Sequence, residues 1–446
     1  MKYFLFALYI IWALVWVHLL VWTNLWTSAN AFLLFAVFLG IYMAVNIWAN
    51  DVANSVGPAV WSGALSLKWA IVIAAIFELA WAVIAGWEVV KTIKDWIIDI
   101  WVINDYTIFL FIMLAALFSA ALWLNFATYF NAPVSTTHSI VGWVMWAWIA
   151  AMWVWIVAWD TMWKIVASWF ISPLLWWIVA ALFLFFIKHL ILNRKDKIVQ
   201  AKKWVPFFVA IMAWSFTSYI LLKWLKNVLI KLDFVSASHI WLIVAFFTYF
   251  FLRAYISKIS HRLSNDRKAI AKLFNIPLIL SVILLSFAHW SNDVANAIGP
   301  LAAIYDSLVN SWVSWSVWIP FWIMLLWWTW LSFWLMLFGP KIIKAVWWEI
   351  TELDQIRAFC IALSAAFTVI LASQMWLPVS STHIAIGWVF WVWFLREYLH
   401  KREHWKKEKF VERAMLSKIV AAWLITVPVV AFLAWAIFLI FSFLFI

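Results

Sequence analysis

Apolar stretches long enough to cross a bilayer follow one another along almost the whole chain, from about residues 3–22 to about 415–446. Each can carry an α-helix through roughly 30 Å of hydrocarbon, and about 12 or 13 such segments can be marked. Of the 446 residues, 69% are hydrophobic and only 11% charged, so the chain lacks the polar atoms to clothe a soluble globule of its size. The expected fold is an all-α polytopic membrane protein with about 12 transmembrane helices.

The 31 Lys and Arg outnumber the 19 Asp and Glu, a balance that in a soluble protein would suggest nucleic acid as a partner. Here the cations gather in three short clusters, Lys188 to Lys203, Arg253 to Lys272 and Arg396 to Lys418. Positive-inside anchoring accounts for them, and the even number of spans between clusters puts all three on the cytoplasmic face. The N-terminal stretch behind Lys2 is longer than a signal-peptide core and is read as a retained span. Cys360, the sole cysteine, lies in an apolar span, which gives no support to a disulfide framework or a thiolate metal site.

The chain repeats itself. W-A-N-D-V-A-N-S-V-G-P from Trp48 to Pro58 returns as W-S-N-D-V-A-N-A-I-G-P from Trp290 to Pro300, and P-V-S-T-T-H from Pro133 to His138 returns as P-V-S-S-T-H from Pro378 to His383. An odd number of crossings separates the two N-D-V-A-N copies, so they are expected to run in opposite directions as inverted-topology repeats, with broken helices near the membrane midplane at the motifs. The division that follows is an N-terminal span over 1–25, a first transport repeat over 26–194, a connector with two spans and basic flanks over 195–266, and a second repeat with a C-terminal span over 267–446.

An ionised carboxylate in hydrocarbon costs about 3 kcal/mol or more. Asp51 and Asp293 beside apolar spans therefore need a partner or a wet cavity. Helix capping would explain one such Asp, but it does not explain two copies each flanked by two asparagines. Asn50, Asn54, Asn292 and Asn296 offer amide donors and carbonyl acceptors, and Ser135, Thr136, Thr137, Ser380, Ser381 and Thr382 offer hydroxyls. The proline ahead of each hydroxyl cluster suits a helix start, whose exposed N–H groups bind phosphate-like anions. An anion there repels the two carboxylates unless a cation or proton sits between them, so anion and cation binding favour each other. Na⁺ would take oxygens from Asp51 and Asp293, whereas H⁺ would neutralise them, and the residues alone do not choose; no other cofactor is implied. His138 and His383 could donate to the anion, relay a proton or simply be structural, and Glu78 is an auxiliary ion ligand or a helix–helix hydrogen bond.

These motifs resemble those of the inorganic phosphate transporter (Pit) family, whose signature reads G-A-N-D-V-A-N in the first half and G-x-N-D-V-A-N-A-x-G-P in the second. The likeness runs from about Val21 to the C-terminal span and includes K-T-I-K-D-W-I-I-D near Lys91 and K-A-V-W-W-E-I-T-E-L-D near Lys344. It implies a cation-coupled secondary transporter of inorganic phosphate in a bacterial inner membrane. Asn50, Asp51, Asn292 and Asp293 would serve the coupling ion, while Asn54, Asn296, the two hydroxyl clusters and Gln374 would serve phosphate. Two other readings are weaker. An intramembrane hydrolase has no use for a site duplicated by inversion, and a sulfate carrier has no use for two proton acceptors, because sulfate at neutral pH has no proton to give. A homodimer is compatible with the pattern.

Where the family has glycine this chain often has tryptophan, as at Trp48, Trp61, Trp81, Trp87, Trp96, Trp290, Trp347 and Trp348. It holds 44 Trp and 8 Gly. Glycine belongs where backbones approach closely, and tryptophan is the worst replacement there. Interfacial anchoring does not explain rings in mid-span. Together the two residues make up about 12% of the chain, an ordinary sum with an odd division. The reading that follows is that most of these Trp are UGA codons that the source organism translates as glycine. Trp169, in S-W-F-I-S-P, is a genuine exception, since the family has Trp there too. Sequencing the gene checks this: UGA is expected at codons 48 and 290 and at the other substituted positions, and UGG there refutes it. A protein made with every Trp literal should transport little or nothing.

Overall fold

The structure is a computed structural model that describes residues 28–77, 105–130, 134–223, 234–293, 295–313, 323, 353–374, 380, 382–383, 397 and 413–445. Over these residues the chain is built from helices. The first, α1 (Ser28–Trp61), is 34 residues long and passes through the whole first N-D-V-A-N motif. The break expected at that motif is therefore absent. Pro58 lies inside the helix and has no N–H to bond the carbonyl of Asn54, so the polar segment loses one backbone bond while the helix continues. The chain turns only afterwards. The Ser62 N–H donates to the Pro58 carbonyl, those of Ala64 and Leu65 donate to Ala59, and Gly63 takes φ 73°, which an L side chain resists. A short helix, α2 (Leu67–Phe77), follows.

Asp105 starts α3 (Tyr106–Tyr129), its carboxylate accepting from the Thr107 N–H at 2.8 Å. Then come α4 (Thr136–Met152) and α5 (Trp159–Ile187), the latter followed by a π turn over Lys188–Leu192. A hairpin of α6 (Lys197–Lys223) and α7 (Phe234–Ser260) leads to the short helix α8 (Arg267–Lys272), capped by Asp266. The second motif is carried by α9 (Asn275–Asp293) and α10 (Ala295–Asn310), and Val294 between them lies outside the described residues, as does any break there. The last two are α11 (Gln355–Gln374) and α12 (Arg413–Phe445).

The packing separates a centre from a rim. α1 lies against α3, α9, α10 and α11, while α12 covers α3 and α4. In its most apolar window α3 is 78% buried, whereas α7 is 17% buried and presents Ile243, Phe246, Phe247, Phe250 and Phe251 outward. Such a face suits an apolar neighbour such as lipid. α6 and α7 pack chiefly on each other. At the centre α1 and α10 approach so closely that a Cβ on Gly40 would come within 3.0 Å of Leu301 Cδ2. The far end of α12 is held by an aromatic cluster of Phe32, Phe111, Phe441 and Phe445, and mid-helix by Trp123 Nε1, which donates to Thr426 Oγ1 at 3.2 Å.

Five helices among the described residues are long and apolar enough to cross a membrane, and shorter apolar helical stretches occupy Ala31–Ile47, Leu67–Phe77, Ile178–Leu192 and Gln355–Thr368. The two halves are tied at one end of the molecule. Asp354 caps α11 by accepting from the Arg357 N–H and pairs with Arg267 at 2.9 Å, and the neighbouring Gln355 Nε2 donates to the Ser62 carbonyl beyond α1 at 2.9 Å.

One residue sits in a backbone conformation its side chain opposes. Trp153, just past α4, has φ 71° and ψ 173°, a region populated almost only by glycine. In protein made with tryptophan at this position, Trp153→Gly is expected to stabilise by about 1–3 kcal/mol, seen as a higher thermal midpoint in detergent. An unchanged or lower midpoint would contradict the strain.

Candidate functional site

The two motif pairs meet. From α1, Asp51 and Asn54 reach a residue more than three hundred positions away. Thr382 Oγ1 donates to Asp51 Oδ1 at 2.7 Å, and Asn54 Nδ2 donates both to Asp51 Oδ1 and to Thr382 Oγ1, each at 3.0 Å. Asp51 is 1% exposed and Thr382 0% exposed. A carboxylate this deep is costly unless hydrogen bonded, and the charge-assisted bond from Thr382 is of the short, strong kind. One carboxylate, one amide and one hydroxyl thus form a closed triangle that joins the first half to the second. Both amide protons of Asn54 are used in it. Its Oδ1 is buried and has no hydrogen-bond partner among the described residues.

The hydroxyl clusters sit at helix starts. Ser135 is the N-cap of α4: its Oγ accepts from the His138 N–H at 3.0 Å, and its carbonyl accepts from the Ser139 hydroxyl at 2.8 Å. Ser380 makes the matching bond to the His383 N–H at 3.1 Å. Capping uses a lone pair of each serine, so the hydroxyl proton can still be donated to an anion. Thr136, Thr137 and His138 in the first turn of α4 are all buried, at a helix end whose dipole favours negative charge.

The two histidines are in contact. The rings of His138 and His383 lie edge to face with centroids 4.1 Å apart, and each has a buried Nε2 without a hydrogen-bond partner among the described residues. Each also meets an indole: Trp169 at 3.8 Å from His138 and Trp423 at 3.8 Å from His383. One turn before the first motif, Asn46 gives an amide proton to the Tyr42 carbonyl at 2.7 Å and accepts from Asn125 Nδ2 at 3.0 Å, which fastens α1 to α3.

Of the residues anticipated from the sequence, the structure brings Asp51, Asn54 and Thr382 into direct contact, and likewise His138 and His383. Ser135, Thr136, Thr137 and Ser380 are buried at the two helix starts. The side chains of Asn50, Asn292, Asp293, Asn296 and Gln374, and Glu78 and Ser381 altogether, lie outside the described residues. Sequence reasoning passed over Asn46, Asn125 and Trp423. The signal for the first two was available, since both are amides set among apolar residues; Trp423 was hidden among the many other tryptophans.

Residues 47–434 match the family described as Phosphate transporter family. The chain belongs to the phosphate transporter family. A protein of Helicobacter pylori named "Putative phosphate permease" is 42% identical over 92% of this chain and 90% of its own length, and one of Haemophilus influenzae with the same name is 34% identical over 90% and 94%. A solved structure described as the sodium-dependent phosphate transporter superposes with a TM-score of 0.84 at 32% identity, covering 93% of this chain and 99% of that one. The chain is thus a membrane-embedded member of a transporter family and not an enzyme.

The triangle has a stability consequence that can be read without any transport assay. Thr382→Val keeps the shape but removes the hydroxyl, and is expected to cost about 1–3 kcal/mol, lowering the thermal midpoint of the detergent-purified protein. Thr382→Ser should restore most of it. A Val variant as stable as the parent would mean that the hydroxyl contributes nothing to holding Asp51.

Proposed function

We propose that this protein is a secondary transporter that moves inorganic phosphate together with Na⁺ through a site shared by its two halves. The observation that carries the reading is the triangle of Asp51, Asn54 and Thr382, because it places a buried negative charge beside a hydroxyl cluster suited to an oxyanion. Phosphate held by Thr136, Thr137, Ser380, Ser381 and Thr382, with Gln374 and the amides of Asn54 and Asn296, would stand next to Asp51 and Asp293. A cation between them turns that repulsion into attraction, so each solute strengthens the binding of the other by the same factor. Na⁺ suits the donor set, since the Asp51 carboxylate, the unpartnered Asn54 Oδ1 and the carbonyl left without a donor by Pro58 are hard oxygens. The sodium dependence in the description of the structural neighbour points the same way. Asn50 and Asn292 would complete the cation sites.

The two halves are read as inverted repeats. Ser62, beyond the end of α1, is bonded to Gln355 at the start of α11, whose neighbour Asp354 pairs with Arg267 just ahead of α9. The helix bearing Asp51 therefore ends at the face from which the helix bearing Asp293 departs, as oppositely directed copies would. That face carries the first two basic clusters, joined where Asn265 bonds Lys195 and Ile198, and is assigned to the cytoplasm of a bacterial cell. Residues 1–25 would be an added span and 195–266 a connector, with transport carried by 26–194 and 267–446.

We also read most of the tryptophans as recoded glycines. The glycine-only backbone at Trp153 supports this independently of any family pattern.

Labelled phosphate uptake into proteoliposomes tests the proposal. An inward Na⁺ gradient is expected to drive accumulation, and Asp51→Asn or Asp293→Asn is expected to abolish it while leaving membrane insertion intact. Uptake at the parent rate in either variant would remove that carboxylate from coupling, and uptake driven by a pH gradient alone would replace Na⁺ with H⁺.

A further inference from the structure

Trp169 and Trp423 differ from the other tryptophans among the described residues in what they touch. Each lies against the histidine that closes one of the two hydroxyl clusters, and the two histidines lie against each other. The result is one continuous row of four rings with centroid separations of 3.8, 4.1 and 3.8 Å. The row crosses the boundary between the halves, and each end lies shortly before a proline: Trp169 four residues before Pro173 in S-W-F-I-S-P, and Trp423 five residues before Pro428 in A-W-L-I-T-V-P. A buried indole N–H usually finds an acceptor. Neither Trp169 nor Trp423 has one among the described residues, so the ring faces are what hold them.

We infer that Trp169 and Trp423 are genuine tryptophans that act as paired positioning residues for the anion site, an inference that rests on the phosphate-transport reading above. His138 and His383 sit in the first helical turn, directly after Thr137 and Thr382, and their own N–H groups are bonded to the capping serines. A turn with its cap at one end and its imidazole pinned at the other cannot rotate about the helix axis. The direction of the neighbouring threonine hydroxyls is thereby set. Because each imidazole is braced by an indole and by the other imidazole, neither cluster can turn without displacing the other. The clamp thus keeps two hydroxyl clusters from different halves aimed at one anion, a matter of pre-organisation rather than of direct contact with it.

Two measurements test this. In the gene, codons 169 and 423 are expected to be UGG even where the substituted positions read UGA; UGA at either one overturns the inference whatever the variants do. In proteoliposomes, Trp169→Phe and Trp423→Phe keep a ring face and should leave KM for phosphate within about twofold of the parent. Trp169→Leu and Trp423→Leu fill the space without a ring and should raise KM about tenfold, the size of one lost ring contact, with a smaller change in kcat. Leu variants with the parent KM, or Phe variants as impaired as Leu, overturn the positioning role. If the parent protein takes up no phosphate, the transport reading falls and this one with it. Uptake by the parent with no difference between Leu and Phe removes the clamp alone.

Discussion

A carboxylate in the middle of a membrane protein has to be answered by something, and at Asp51 the answer comes from the other end of the chain. The hydroxyl of Thr382 and the amide of Asn54 converge on one oxygen of that carboxylate. Because burial makes an unanswered charge expensive, this meeting is a condition on the fold and not an ornament of it. α1 must lie where the second hydroxyl cluster begins, and the centre of the molecule, in which α1 touches α3, α9, α10 and α11, is arranged around that requirement. The neighbouring amide pair of Asn46 and Asn125 also fastens α1 to α3 by a hydrogen bond, so the long helix is held by polar bonds to two parts of the chain.

Much of this could be read beforehand because the chain states it twice. A single N-D-V-A-N or P-V-S-T-T-H is ambiguous between capping and binding. Two copies of each in the same order identified the residues, and Asp51, Asn54, Thr382, His138 and His383 duly come together. What the sequence hid was backbone behaviour. The duplicated polar motifs are expected to interrupt their helices, yet α1 runs straight through the first, because Pro58 removes only one donor late in a helix already held by its neighbours. The actual turn is at Gly63, five residues past Pro58 and carrying no motif signal of its own.

Tryptophan concealed the rest. With 44 of them in the chain, pattern singled out Trp169 alone as a ring that belongs. Two physical criteria in the structure bear on the proposed recoding. At Trp153 the backbone adopts angles that only a residue without Cβ takes comfortably, whereas Trp169 and Trp423 each meet a histidine face at close range. The first criterion concerns what the main chain tolerates and the second what a side chain accomplishes. Neither is visible in composition.

The hairpin of α6 and α7 stands apart from this centre. Its helices pack chiefly on each other and turn a wide phenylalanine face outward. A face of this kind suits lipid, and a mismatch in bilayer thickness is accommodated by helix tilt. The hydrogen bonds among Asp51, Asn54 and Thr382 draw on α1 and the second hydroxyl cluster and not on this pair, so a tilt of α6 and α7 leaves those partners in place.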